Sequence, residues 1–342
     1  MDKPTTKDLA KAAGVSLATV DRVLNARAGV RPATVERVRQ AIKEIDFVRD
    51  MAAANLARNK VYRLVFLLPD HDDEFIGLIR NAIAEANMSM AHERVNVSIV
   101  RAPSNDPHRI AKILNTLSSE QIDGVAIMAP ETPQVRDSIA RLDAKGIAVV
   151  TFVSHQPTAE SAYFVGINNR AAGRTVGQLM ARFTGERKGE ILVLTETMQA
   201  RDSQERRLGF DTIMAKYAPR LGVRPSMETY GDPARTAKIV KTALESQPSI
   251  VGIYLMNHDF RDTMHAIEKQ GAPQQTIIIG HELTPHTRAC LIDGSMDAVI
   301  TQDVGHLVRS SIRLLRAKAT HVDTVASQER IRIEIILREN MP

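Results

Sequence analysis

Within the first sixty residues of this 342-residue chain, side chains able to read or hold a polyanion recur at helical spacing. Arg22 offers the planar donor fork that pairs with the O6 and N7 atoms of guanine. Leu17 and Ala18, a helical turn earlier, offer the apolar contact that a thymine methyl accepts. Thr6, Ser16, Thr19, Asn25 and Thr34 carry short polar groups suited to phosphate oxygens, contacts that set register rather than sequence. Residues 1–60 hold 12 Lys/Arg against 7 Asp/Glu, so the whole formal net charge of +5 sits there. The remainder is balanced, with 33 basic and 33 acidic side chains. A polyanion partner follows from that concentration. On charge alone, a solvated charged face reads the same.

These side chains share a surface only if short helices present them. Thr5 or Thr6 is placed to cap a first helix with Leu9, Ala10 and Ala13 inward, and Gly14 to end it in left-handed geometry. Ser16 caps a second helix over 17–24, with Val20, Val23 and Leu24 inward and Leu17, Ala18, Asp21, Arg22 and Asn25 outward. Pro32 opens a third, which buries Val35, Val38, Ile42 and Ile45. Two short helices around a Gly-containing turn make a helix-turn-helix, whose second helix enters the major groove. A three-helix scaffold without a nucleic-acid role satisfies the same pattern. The Ala-rich segment that follows, through Leu56 to Lys60, has good helix propensity but is too short to be stable alone.

From Tyr62 onward short apolar runs alternate with amphipathic stretches. Strands are expected at 64–68, 95–100, 124–128, 148–152, 164–167, 190–194, 250–255, 276–279 and 298–301. This is an α/β series implying parallel sheets covered on both faces, with ligands held beyond the carboxyl ends of the strands. The chain shows no G-x-G-x-x-G after its first strand, no P-loop and no G-x-S-x-G. His281-Glu282 could contribute to a metal site, but the ten histidines show no ligand spacing. One cysteine, Cys290, excludes an internal disulfide. No apolar run reaches membrane-spanning length and no leader pattern opens the chain, which implies a cytoplasmic protein without a membrane partner. Neither a cofactor, a metal nor a catalytic group is expected.

The run Thr6-Lys7-Asp8-Leu9-Ala10-Lys11-Ala12-Ala13-Gly14-Val15-Ser16, followed by Thr19-Val20 and Arg22-Val23-Leu24-Asn25, resembles the signature of LacI/GalR-type regulators. Asp21 stands where that family usually has Ser, and Arg31 where it has a capping Ser. The resemblance implies a three-helix helix-turn-helix DNA-binding domain over 1–46, a hinge helix over 47–60 and an effector-binding domain over 61–342. In the hinge, Leu56 is the residue such proteins push into the minor groove. The third segment is similar to a two-lobed periplasmic-binding-protein type I domain, crossed near 166–169, 301–304 and 325–330.

In that segment Val165-Gly166-Ile167-Asn168-Asn169-Arg170-Ala171-Ala172-Gly173 resembles V-G-x-D-N-x-x-A-G, with Asn168 for the usual Asp. Arg206-Arg207-Leu208-Gly209-Phe210 resembles R-x-x-G-F, and Gly280-His281-Glu282 resembles G-[FY]-D. The resemblance implies that Phe75, Asn168, Arg206, Asn257, Glu282 and Gln302 face a small-molecule effector. Arg206 supplies donors while Glu282, Asn257 and Gln302 accept and donate, a set suited to a sugar or sugar derivative. Implied partners are double-stranded operator DNA with a pseudopalindromic site and a second copy of the chain, forming a homodimeric repressor. Without the resemblance, a solute-binding protein or a sugar-acting α/β enzyme remains open. The missing leader and basic head weigh against the first, the missing acid–base or cofactor motif against the second.

Overall fold

The structure, a computed structural model, describes residues 4–24, 28–47, 60–71, 73–157, 162–246, 249–257, 259–272, 275–320 and 322–342. Asn25, Leu56 and nearly all of the expected hinge segment 47–60 lie outside the described residues. By its contacts the chain divides into two units, Met1–Val61 and Tyr62–Pro342.

The first unit holds α1 (Thr6–Ala13), α2 (Leu17–Leu24) and α3 (Pro32–Glu44). Thr5, rather than Thr6, caps α1. Its Oγ1 accepts from the Asp8 N–H at 3.4 Å while the Asp8 carboxylate accepts from the Thr5 N–H at 2.8 Å, a reciprocal capping box. Gly14 closes α1 at φ 61, a conformation that costs glycine nothing. Ser16 Oγ accepts from the Thr19 N–H at 3.2 Å and so starts α2. Arg31, preceding Pro32, makes no side-chain cap. Leu9, Ala10, Ala13, Val20, Val38, Ala41 and Phe47 form the core, with Val23, Leu24, Ile42 and Ile45 packed at its edge. Helix α3 is turned so that Val38 and Ala41, one turn apart, point inward, leaving Val35 half-buried.

The second unit contains two sheets. The first consists of β1 (Tyr62–Pro69), β2 (Val95–Ala102), β3 (Gly124–Ile127), β4 (Ala148–Phe152) and β5 (Tyr163–Val165), all parallel, in the order β2-β1-β3-β4-β5. Helices α4 (Glu74–Ser89), α5 (Pro107–Thr116) and α6 (Pro133–Ala144) connect its strands. The second sheet holds β6 (Gly189–Thr195), β7 (Leu221–Glu228), β8 (Ile250–Leu255), β9 (Ile277–His281) and β10 (Ala298–Thr301). These five are parallel, and β11 (Glu334–Ile336) lies antiparallel against β10, giving the order β11-β10-β9-β8-β6-β7. Its helices are α7 (Asn169–Phe183), α8 (Arg201–Tyr217), α9 (Pro233–Leu244), α10 (Arg261–Gln270) and α11 (Pro285–Asp293). The chain passes from the first sheet to the second between β5 and α7. It returns through α12 (Val304–Thr320), which packs on α4, β3 and β4, and passes back to β11.

Two strands are absent from the sequence expectation. β7 contains Pro225, which an edge strand tolerates because its N–H side need not pair. The register against β6 slips there, with Ile191 opposite Val223 but Val193 opposite Ser226, so the apolar alternation breaks. β11 is only three residues long.

Helices α7 and α8 touch backbone to backbone. A Cβ on Gly173 would lie 1.9 Å from the Arg206 carbonyl oxygen, and one on Gly209 would lie 2.1 Å from the Arg170 carbonyl oxygen. The two glycines thus sit reciprocally in the crossing, one in each of the two motifs quoted above. A Gly209→Ala substitution should therefore cost about 3 kcal/mol, the upper end for forced overpacking. Gly77→Ala, inside α4 where a Cβ meets nothing within 4 Å, should instead stabilise by about 0.5–1 kcal/mol. Urea unfolding of the two variants reads both signs.

Candidate functional site

On the first unit, α2 carries Leu17, 48% exposed, beside exposed Ala18 and Arg22. Ser16 and Thr6 are exposed at the starts of α2 and α1, while Thr19 and Thr34 are half-buried. Ser16 Oγ also shares a hydrogen bond with Thr19 Oγ1 at 2.9 Å, so these two hydroxyls are oriented by the cap itself. The outward face of α2 therefore presents one guanidinium next to small apolar groups.

In the second unit, the strand exits of the two sheets converge. Arg206 is buried on α8. Its Nε donates to Asn169 Oδ1 at 2.9 Å and its Nη1 to the Met256 carbonyl at 2.5 Å. The guanidinium is thus tied to α7 and to the β8 exit, with donors to spare. The neighbouring Asn168 is exposed and spends its Oδ1 on the Ala171 N–H at 2.9 Å, capping α7. The member of the Asn-Asn pair that meets Arg206 is Asn169, which the motif comparison passed over. Asn257, half-buried at the β8 exit, donates its amide to the Asp259 carbonyl.

Glu282 follows β9 at φ 65, the left-handed region that a residue with a Cβ enters only under strain. Its carboxylate is buried and accepts from Gln302 Nε2 at 2.8 Å and Thr301 Oγ1 at 3.3 Å. Val153, after β4, occupies the equivalent exit in the first sheet at φ 61. Each of the two donates its N–H to the adjacent strand, Val153 to the Val165 carbonyl and Glu282 to that of Ile300. Behind Glu282, His281 Nε2 shares a buried hydrogen bond with the Tyr254 hydroxyl at 2.9 Å, and Phe210 packs on the tyrosine ring. Burial pushes the Tyr254 phenol well above its ordinary pKa. Phe75 is 1% exposed and its ring belongs to the core under the first sheet.

Two of the polar contacts between the lobes lie at their facing edges, and neither was legible in the sequence. Arg201, at the start of α8, binds Glu131 beyond β3 at 2.9 Å and Glu205 at 2.9 Å. Glu74, at the start of α4, accepts from the His286 N–H in the first turn of α11 at 3.0 Å, where the helix dipole favours an anion. In both cases the first lobe supplies a carboxylate and the second a donor. His71 Nε2 lies 3.0 Å from Asp73 Oδ2, and Asp73 Oδ1 caps α4 through the Ile76 N–H at 2.7 Å. His155 stacks on Phe164 with ring centroids 4.4 Å apart. Among the described residues, no cluster of His, Cys, Asp and Glu could hold a metal ion, and no helix is long and apolar enough to cross a membrane.

This two-lobed geometry is matched by known proteins. Residues 64–321 match the periplasmic binding protein domain family, and the chain belongs to it. Residues 5–50 match the bacterial regulatory proteins of the lacI family, so the first unit is a lacI-type DNA-binding domain. A catabolite control protein A from Staphylococcus xylosus is 30% identical over 125 residues, 36% of each chain. Its counterpart from Staphylococcus aureus is 25% identical over 224 residues, 64% of this chain and 63% of the relative. The chain thus matches about a third to just under two thirds of the length of these curated relatives. Among solved structures, GanP, a glucose-galactose binding protein from Geobacillus stearothermophilus, superposes with a TM-score of 0.72. It shares 19% identity over 83% of this chain and 99% of that one. A putative LacI transcriptional regulator from Bacteroides fragilis gives 0.69 at 17% identity, covering 82% and 98%. At these identities the likeness establishes the fold.

The two histidines facing the lobe edges titrate in opposite directions. The Asp73 hydrogen bond raises the His71 pKa above 6.5 against the opposing effect of burial, and Glu196 adds to the rise. Burial holds His155 below 6.5. The His71 contribution to stability is therefore complete below pH 6.5 and fades as pH rises through the folded-state value. His155 destabilises the fold as pH falls through the window between 6.5 and its lowered value. NMR titration should place the two midpoints on opposite sides of 6.5. His71→Asn should lose stability relative to the parent at pH 6 and match it at pH 9.

Proposed function

We propose that the chain is an effector-controlled transcriptional regulator, a repressor that binds a pseudopalindromic operator as a homodimer in the cytoplasm and has no catalytic activity. The observation that carries this reading is one polypeptide joining a capped lacI-type helix-turn-helix, with Arg22, Leu17 and Ala18 outward, to a two-lobed cleft. In this reading Arg22 reads a base edge, Leu17 and Ala18 make apolar base contacts, and Thr6, Ser16, Thr19 and Thr34 hold the phosphate backbone. Asn25 and Leu56 belong to the same proposal on sequence grounds alone.

Arg206, Asn257, Glu282 and Gln302 form the effector set, joined by Asn169 as the group that holds Arg206 in place. Their mixture of donors and acceptors supports a polyhydroxylated ligand, a sugar or sugar derivative. Structural neighbours with D-arabinose or D-allose bound lend the same class support. The effector shifts the balance between closed and open lobes, and a coupling of about 1–3 kcal/mol to operator affinity suffices for regulation. A transport-type reading would leave the basic first unit without a use.

The test is selection of genomic fragments on the full-length chain, followed by titration of the recovered duplex at several salt concentrations with and without monosaccharides. Binding that weakens steeply with salt, to sites of two-fold symmetry, is the expected result. Arg22→Ala should weaken the selected site by about 1–3 kcal/mol and relax preference at one position of each half-site. A chain that binds no DNA under any effector condition overturns the reading.

A further inference from the structure

A groove of about 580 Å³ opens where α4, the β9 and β10 exits, the start of α12 and β11 meet. Its charge is one-sided. Glu85, Glu282, Asp303 and Glu334 line it, and among the described residues no lysine, arginine or histidine does. At its rim Arg309 lies 3.9 Å from Asp303, whose other oxygen caps α12 through the His306 N–H. Between the carboxylates the walls are apolar, made by Leu78, Ala82, Leu283 and Val304.

A second observation points to a missing donor. Gln302 lines the groove and is 3% exposed. Its Nε2 is spent on Glu282 at 2.8 Å, and its Oε1 has no hydrogen-bond partner among the described residues. A buried acceptor left unsatisfied is costly, and native proteins rarely leave one without a ligand or water in mind. We propose that this groove binds an aliphatic amine, an extended cation whose ammonium groups meet the carboxylates and Gln302 Oε1 while its methylenes lie on the apolar wall.

The spacing of the acids selects this class over a metal ion. Among the described residues no three acidic or imidazole groups stand close enough together to share one ion. The charges therefore suit a ligand that carries its own separated charges. A sugar hydroxyl needs acceptors and donors alike, whereas the lining offers an excess of acceptors, with Asn81 as its amide donor. The groove has α4 of the first lobe on one wall and the β9 and β10 exits of the second on the other, so the occupant ties the lobes together beside the crossover. Glu282 and Gln302 are shared with the proposed effector set, which places the two ligands within reach of the same acceptors.

The test is calorimetric titration of the full-length chain with 1,4-diaminobutane, with uncharged 1,4-butanediol of the same length and with magnesium chloride. Saturable one-site binding of the diamine is expected, at least tenfold tighter than the diol and retained in the presence of magnesium. The Glu85→Gln, Glu334→Gln double variant changes two exposed side chains, and it should weaken the diamine at least tenfold while melting like the parent. Gln302→Met should weaken it as well. Equal affinity for diamine and diol, displacement by magnesium, or unchanged binding in the double variant overturns the proposal. A chain that took the diamine here but no sugar between its lobes would sustain this site and overturn the sugar-effector reading alone.

Discussion

The contact on which the second unit's site depends is the backbone crossing of α7 and α8 at Gly173 and Gly209. Asn169 lies one turn before the first glycine and Arg206 one turn before the second, so closing the crossing delivers the carbonyl of one side chain to the guanidinium of the other. Any Cβ at either glycine would wedge the helices apart and draw Asn169 away from Arg206. The guanidinium would then keep only the Met256 carbonyl, deep in a region where an under-paired charge is costly. Since α7 is also the first element after the chain leaves the β5 edge of the first sheet, the crossing fixes where the second lobe begins.

Against that rigid frame, the polar links at the lobe edges are weak. Arg201 is 38% exposed at its side chain, and exposed ion pairs contribute between nothing and about 1 kcal/mol. The Glu74 contact to the α11 N-terminus adds a helix-end interaction of similar size. The larger tie between the lobes is apolar, one buried cluster that runs from Phe66 and Phe152 of the first sheet to Ile191, Tyr254 and Ile300 of the second.

Much of this was legible in the sequence because local chemistry decided it. A threonine at 5 or 6, Gly14, Ser16 and Pro32 mark their helix ends whatever the rest of the chain does, and continuous apolar runs declare the buried parallel strands. What was not legible depends on geometry within a turn or on distance along the chain. Asn168 and Asn169 are identical in type, and only the helix start decides that the first caps and the second turns inward. Arg201 and Glu131 are 70 residues apart, Glu74 and His286 are 212, and no local pattern links them. β7 hid behind Pro225 and a register slip, and Phe75 gave no sign of whether its ring would face a ligand or the core.

The matched left-handed exits at Val153 and Glu282 carry a last consequence. The two lobes repeat the same strand order and spend the same backbone strain at the same station, yet one bears an aliphatic side chain and the other a carboxylate. The strain is thus common to both halves and does not depend on the side chain it carries. In the second half that station holds a buried carboxylate bonded to Thr301 and Gln302, and in the first it is held by Val153. New specificity in such a molecule needs no new backbone, only a different tenant at a position already built.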